Sequence, residues 1–207
     1  MKKKLAVIMC MALAMTTVPT YAGQSTEKET KKAENATDKS DTKEDSNGIL
    51  VAYYSATGNT KAVAEKIAES TDAELLELKP TEEYTDEDLD YNDSESRVCK
   101  EYVDPELRDI ELEETTVDDW DDIKYVFVGY PIWWGIAAWP VDNFIKENDF
   151  EGKTVIPFCT SASSGLGDSA KKLEELAGNG NWQEGIRFSS HPSDDEIQEW
   201  IDSITLE

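Results

Sequence analysis

The stretch SATGNT, residues 55–60, carries polar donors at four of its six positions and no charge. Ser55, Thr57 and Thr60 supply hydroxyls, and Asn59 supplies an amide. The stretch lies between an apolar, β-prone run, Ile49 to Tyr54, and a segment in which Val63, Ala64, Ile67 and Ala68 recur at helical spacing. A strand that passes straight into a helix leaves the first helical N–H groups free, and these carry a partial positive charge of roughly half a unit. Gly58 allows the tight turn that aims them outward. Such a loop can hold a phosphate with neutral donors alone. An ordinary helix cap needs one hydroxyl, not a loop full of donors. The loop that cradles nucleoside triphosphates needs Gly-Lys-Ser/Thr at its helix end, and Lys61 is misplaced for that.

Two further stretches resist reading as plain connectors. PIWWG, residues 131–135, follows the apolar run Tyr125 to Tyr130 and sets two large rings, Trp133 and Trp134, side by side. Exposed apolar rings need a cover. Core packing can cover one of them, and the adjacent ring, pointing elsewhere, is available to a flat ligand. TSASSGLG, residues 160–167, is small and hydroxyl-rich, and lets backbone groups approach a polar edge. It also contains Gly165, Gly167 and Ala170 in the G-x-G-x-x-A spacing of dinucleotide sites. That match is weak, because it begins well past its strand and lies in the fourth strand–helix unit rather than the first. His191, before Pro192, is the single histidine, which argues against serine–histidine triads and histidine metal clusters.

These loops need a scaffold. The periodicity predicts strands at Ile49–Tyr54, Ala73–Leu78, Tyr125–Tyr130, Thr154–Cys159 and Trp182–Ser189. It predicts helices after SATGNT, over Ala137–Phe150, Gly167–Ala177 and Asp194–Ile204, the last capped by Ser193 with Glu196 three residues on. Strands that alternate with helices predict an α/β fold, one parallel sheet with helices on both faces. In such a sheet, ligands bind beyond the C-terminal strand ends, where the three stretches fall. Residues 79–122 are long, acidic and weakly patterned. They are expected to carry a short helix near Asp86–Tyr91 or to cover the sheet beside the site.

The chain has 207 residues and a formal net charge of −25. Its start, Lys2 to Lys4, an apolar run Leu5 to Met15 and small residues before Ala22, reads as an export signal cleaved after residue 22. An uncleaved membrane anchor is the alternative reading. Residues 23–47, with 12 charged residues among 25, read as a disordered tether. The folded domain is then 48–207, with 38 acidic against 12 basic residues. Such a surface disfavours nucleic acid and suits basic partner proteins. Cys99 and Cys159 remain after the signal and could pair, although Cys159 ends an apolar strand and could equally be a buried free thiol.

VAYYSATGNTKAVAEKI, GYPIWWG and GKTVIPFCTSASSGLG resemble the phosphate loop and the two flavin loops of the flavodoxin family, and the likeness runs through the whole 48–206 region. Ala52 departs from the family's larger apolar residue, and the export signal departs from its usual cytoplasmic setting. The resemblance implies a three-layer, doubly wound sheet of five parallel strands in the order 2-1-3-4-5, the family's own pairing of fold and site. It implies FMN as cofactor, and no metal. Ser55, Ala56, Thr57, Gly58, Asn59 and Thr60 would hold the phosphate. Pro131, Ile132, Trp133, Trp134 and Gly135 would flank the ring, and Thr160, Ser161, Ala162, Gly165 and Gly167 would line its pyrimidine edge. The expected activity is low-potential electron transfer by a monomer, extracytoplasmic, with basic redox partners. An NAD(P)H-dependent quinone or flavin reductase and an exported binding module without flavin are the alternatives.

Overall fold

Two adjacent interior strands of the sheet are buried on both faces, which is why their sequences read as unbroken apolar runs. In the computed structural model, which describes residues 47–206, these are β1 (Ile49–Tyr53) and β3 (Tyr125–Trp133). The remaining strands are β2 (Glu74–Glu77), β4 (Ile136–Ala137), β5 (Thr154–Thr160), β6 (Asn181–Trp182) and β7 (Ile186–Phe188). The sheet order is β2-β1-β3-β5-β6, with β7 also on β5 and β4 on β3. All pairings are parallel except the β3–β4 hairpin. With β6 and β7 counted as one interrupted fifth strand, this is the expected doubly wound order.

Side chains alternate across the strands and build two cores. Leu50, Ala52, Val126, Val128, Val155 and Cys159 face the side covered by α3 (Pro140–Glu147) and α4 (Ser169–Ala177), where Val141, Phe144 and Leu173 meet them. Val51, Tyr53, Phe127, Ile156 and Phe158 face α1 (Asn59–Thr71) and α5 (Asp194–Ser203), meeting Val63, Ile67, Ile197 and Ile201. The layer is close-packed at Gly129, where an added Cβ would stand 2.2 Å from the ring of Phe158.

Several elements differ from the sequence expectation, each for a local reason. The fifth strand is broken between Trp182 and Ile186. Val155 accepts a bond from Gln183 N at 2.8 Å, so alternate residues of β5 turn their peptide groups to this edge. Pro157 is next in that set and has no N–H to offer, and the partner strand interrupts beside it. The third helix starts at Pro140 rather than residue 137, because proline fits the first turn and not the interior. The fourth starts at Ser169, since Gly167 has φ +54°, outside helical range. Ser193 does cap α5, accepting from Glu196 N.

The 79–122 segment also differs. Residues 86–92 are turns rather than a helix: Asp88 accepts from Thr85 N and Oγ1, and Asp90 accepts from Asn92 N at 2.9 Å. Aspartate side chains that bond their own backbone compete with helix formation. The helix of this segment is α2 (Arg97–Val103), started by the Ser96 hydroxyl accepting from Cys99 N. Cys99 and Cys159 are both free thiols. The signal and nearly all of the tether expected from the sequence lie outside the described residues.

Candidate functional site

The three sequence-singled loops meet at the C-terminal edge of β1, β3 and β5. The first loop begins where Tyr54 N donates to Gly129 O at 3.0 Å, and turns at Gly58, φ +83°. Gly58 sits at the N-cap of α1, and no side chain caps the helix there. The first helical bond runs from Ala62 N to Gly58 O, so the N–H groups of Asn59, Thr60 and Lys61 have no intrahelical partner. Ser55 Oγ is buried and, among the described residues, is the one buried side-chain polar atom without a hydrogen-bond partner. An unmet buried hydroxyl is costly, and its presence beside open helical N–H groups describes a site that awaits an acceptor. Asn59 Nδ2 donates to Thr57 Oγ1 at 3.1 Å, which orders the loop's exposed tip. Lys61, the nearest cation in sequence, turns away and pairs with Glu77 at 3.1 Å. The donor set is therefore neutral, as its residue types suggested.

The second stretch is not a loop beyond the strand. Here β3 runs on to Trp133, turns through Trp134 and Gly135, and returns as β4, with Trp133 paired to Ile136. Trp134 has φ +46° and Gly135 +79°, the two left-handed residues that a two-residue hairpin turn matching the strand twist requires. Glycine accepts this freely, whereas a bulky residue in the left-handed region is held at a cost of about 1–3 kcal/mol by its surroundings. The surroundings are aromatic. Trp134 stacks on Tyr102 of α2, centroids 4.6 Å apart and planes 13° off parallel, and leaves its residue 40% exposed. Trp133 is wedged edge-on among Tyr54 (5.6 Å), Tyr84 (5.4 Å) and Trp139 (4.9 Å). The two rings do point differently, and the more exposed one already has an aromatic partner from the 79–122 segment. Pro131 and Ile132, half-buried, complete the strand end, and Pro131 O accepts from Ala138 N at 3.0 Å.

That aromatic wall hangs on one carboxylate. Glu101 of α2 is 4% exposed and accepts from Tyr84 Oη at 2.7 Å, Trp139 Nε1 at 2.6 Å and Arg97 Nε at 2.8 Å. Arg97 also lies over the Tyr84 ring, 4.1 Å from its centre. Burial and the Glu101 bond push the Tyr84 hydroxyl well above the ordinary phenol range. The expectation that the 79–122 segment covers the sheet beside the site is thus met, through residues the sequence did not single out. A lone Glu101 among many acids gave no signal of its burial.

The third loop starts at Thr160, which is buried and whose Oγ1 shares a hydrogen bond with Thr60 Oγ1 at 2.8 Å. This bond ties the first loop to the third. Gly167 faces the β3–β4 hairpin, where an added Cβ would meet Gly135 O at 3.8 Å. At its far end the loop is set by Ser169, whose hydroxyl donates to Leu166 O and shares a bond with Tyr130 Oη at 3.1 Å. Ser161 Oγ donates to Ser164 O, closing the loop on itself. The N–H groups of Ala162, Ser163, Ser164 and Gly165 have no partner among the described residues, and all four residues are exposed. One residue went unforeseen here: Arg187, the polar member of the IRF triplet of β7, donates to Ser161 through Nε to Oγ (3.0 Å) and Nη2 to O (2.6 Å). Its signal was the lone charge in an otherwise apolar strand triplet.

The arrangement offers neutral donors at one end, an aromatic wall in the middle and open backbone donors at the other. A family model described as Flavodoxin matches residues 48–204. Among solved structures, the chain is similar to a candidate flavoprotein from Bacteroides eggerthii at 37% identity and TM-score 0.69, covering 77% of this chain and 98% of that one. A candidate flavoprotein from Bacteroides uniformis matches at 34% identity and TM-score 0.69, covering 76% and 99%. A flavoprotein from Lactobacillus acidophilus, solved in complex with FMN, matches at 26% identity and TM-score 0.53, covering 73% and 97%. No curated protein matches. The chain belongs to the flavodoxin family.

Proposed function

We propose that this member of the flavodoxin family binds FMN and carries electrons outside the cytoplasm. The observation that carries the FMN reading is the buried, unpartnered Ser55 hydroxyl beside the open N–H groups of Asn59, Thr60 and Lys61. A phosphate completes that set without any cation. Cβ atoms added at Gly58 or Gly135 would meet nothing within 4 Å, so the space over both turns is open. The FMN complex of the Lactobacillus acidophilus protein supports the same ligand.

When bound, FMN would supply reversible one- and two-electron chemistry. The chain's own residues bind and orient it. Ser55, Thr57, Asn59 and Thr60, with the backbone of Ala56 and Gly58, would hold the phosphate. The Trp133–Trp134 hairpin would set the plane of the ring, backed by Tyr84 and Trp139. The free N–H groups between Ala162 and Gly165 would meet the polar edge. None of the three loops contains a charged side chain, which suits a carrier better than an acid–base catalyst. An excess of 38 acidic over 12 basic residues from position 48 on disfavours added negative charge and favours a low potential. The same excess favours basic partner proteins, with association that weakens as salt rises. The export reading rests on Lys2 to Ala22.

The test is purification of the chain after expression and fractionation of the producing cells. The expected protein is yellow, lies outside the cytoplasmic fraction, releases FMN in acid and is not bleached by NAD(P)H alone. A colourless protein that leaves added FMN fluorescence unquenched refutes the cofactor. Rapid bleaching by NADPH with quinone turnover refutes the carrier role in favour of a reductase.

A further inference from the structure

We propose that Arg187 is the positioning residue of the third loop and that its charge raises the reduction potential of the bound flavin. This rests on the FMN reading above. The guanidinium engages one residue, Ser161, at two atoms, through Nε to Oγ at 3.0 Å and Nη2 to O at 2.6 Å. A planar fork fixes orientation in a way a single ammonium contact does not. Ser161 N also donates to Phe188 O at 3.2 Å, and Ser161 Oγ donates onward to Ser164 O. Every polar group of Ser161 is therefore occupied by structure below or beside the loop. What remains unbonded is the run of N–H groups from Ala162 to Gly165, all on exposed residues. Arg187 thus determines which way the loop's free donors face.

The charge matters separately from the geometry. Arg187 pairs with no carboxylate among the described residues, whereas Lys61, the cation nearest the phosphate loop in sequence, is paired with Glu77. At the phosphate end the site is neutral, and at the Ser161 end an uncompensated, half-buried cation stands one residue behind the donors. Reduction adds negative charge to the flavin, and an Arg behind the loop that meets its polar edge favours the more negative form. The acidic chain as a whole pulls the potential down, and Arg187 opposes it locally.

The experiment compares the full chain with Arg187→Gln and Arg187→Lys. Two readouts are taken: FMN affinity by fluorescence-quench titration, and the two-electron midpoint potential by equilibration against a dye of known potential. In Arg187→Gln, reduced FMN is expected to lose about tenfold more affinity than oxidised FMN. This is a fall of about 30 mV in the two-electron potential. In Arg187→Lys the charge stays and the fork is lost, so FMN binding weakens about threefold or more while most of the potential is retained. Wild-type affinity and potential in both variants overturn the inference and leave the FMN reading intact. If the wild-type chain itself does not bind FMN, the FMN reading fails first. Should Arg187→Gln fail to fold, Arg187→Lys decides: weaker binding at near-wild-type potential supports the inference, and unchanged binding overturns it.

Discussion

Ser55→Ala should move apoprotein stability and FMN affinity in opposite directions. In the apoprotein, Ser55 Oγ is buried without a partner. Leaving a buried hydroxyl unmet costs about 1–3 kcal/mol. Ser55 as a residue is only half-buried, so the lower end applies and the alanine variant should gain about 1 kcal/mol. For a domain of this size that raises Tm by about 2–4 °C. With ligand present the sign reverses. A hydrogen bond to a charged phosphate contributes about 1.5–3 kcal/mol, so the variant should bind FMN roughly 10- to 150-fold more weakly. Thermal melts of ligand-free protein and flavin fluorescence titrations read the two effects independently. Free riboflavin, which lacks the phosphate, provides a control and should bind both proteins alike. A variant that melts below wild type refutes the claim that the hydroxyl is unmet. One that binds FMN as tightly as wild type refutes its role in holding the phosphate.

Two further perturbations test the scaffold. Gly129→Ala would place a Cβ 2.2 Å from the Phe158 ring, and should destabilise by about 1–3 kcal/mol or more in urea unfolding, with partial recovery in the double variant Gly129→Ala/Phe158→Leu. Asp142, in the first turn of α3, has its carboxyl pushed up to about 6 by burial, against the pull of Lys146 and Arg108. Its folded form therefore favours the proton, so its penalty to stability is absent below the unfolded value near 4, grows between about 4 and 6, and is complete above that. Asp142→Asn should consequently stabilise by about 2 kcal/mol at pH 7–8 and by little at pH 4, and an equal gain at both pH values counts against this account.

The parts of the fold that the sequence showed clearly are those set by local chemistry. The strand Ile49 to Tyr53 and the donors of SATGNT could be read because apolar runs and hydroxyls keep their meaning wherever the chain goes. The break in the fifth strand was not legible, since it depends on Pro157 in a neighbouring strand, against which Gly185 packs so closely that an added Cβ would stand 2.7 Å from Pro157 O. PIWWG was read as a loop because Trp-Gly is not the usual pair for a tight hairpin. Its conformation is held by Tyr102, some 30 residues earlier, and Glu101 beside it anchors Trp139. Arg187 was missed for the same reason: its role is defined by Ser161, across the sheet edge.

These long-range links bear on how the site works. Its loops are linked directly, Thr60 to Thr160 by a hydrogen bond and Tyr54 to Trp133 by ring contact, and Gly167 lies opposite Gly135. Ligand binding therefore need not order three separate segments, and little affinity is spent on conformational entropy. Among the described residues, the site's donors without a partner are one buried hydroxyl, the first N–H groups of α1 and the N–H groups of the third loop. Neutral hydroxyl and N–H donors suit a ligand that brings its own acceptors and its own chemistry. That complementarity, more than any single contact, makes a phosphate-bearing heterocycle the fitting occupant. Of the charges that flank the site, Lys61 is paired with Glu77, and Arg187 is bonded to Ser161 with no carboxylate partner among the described residues.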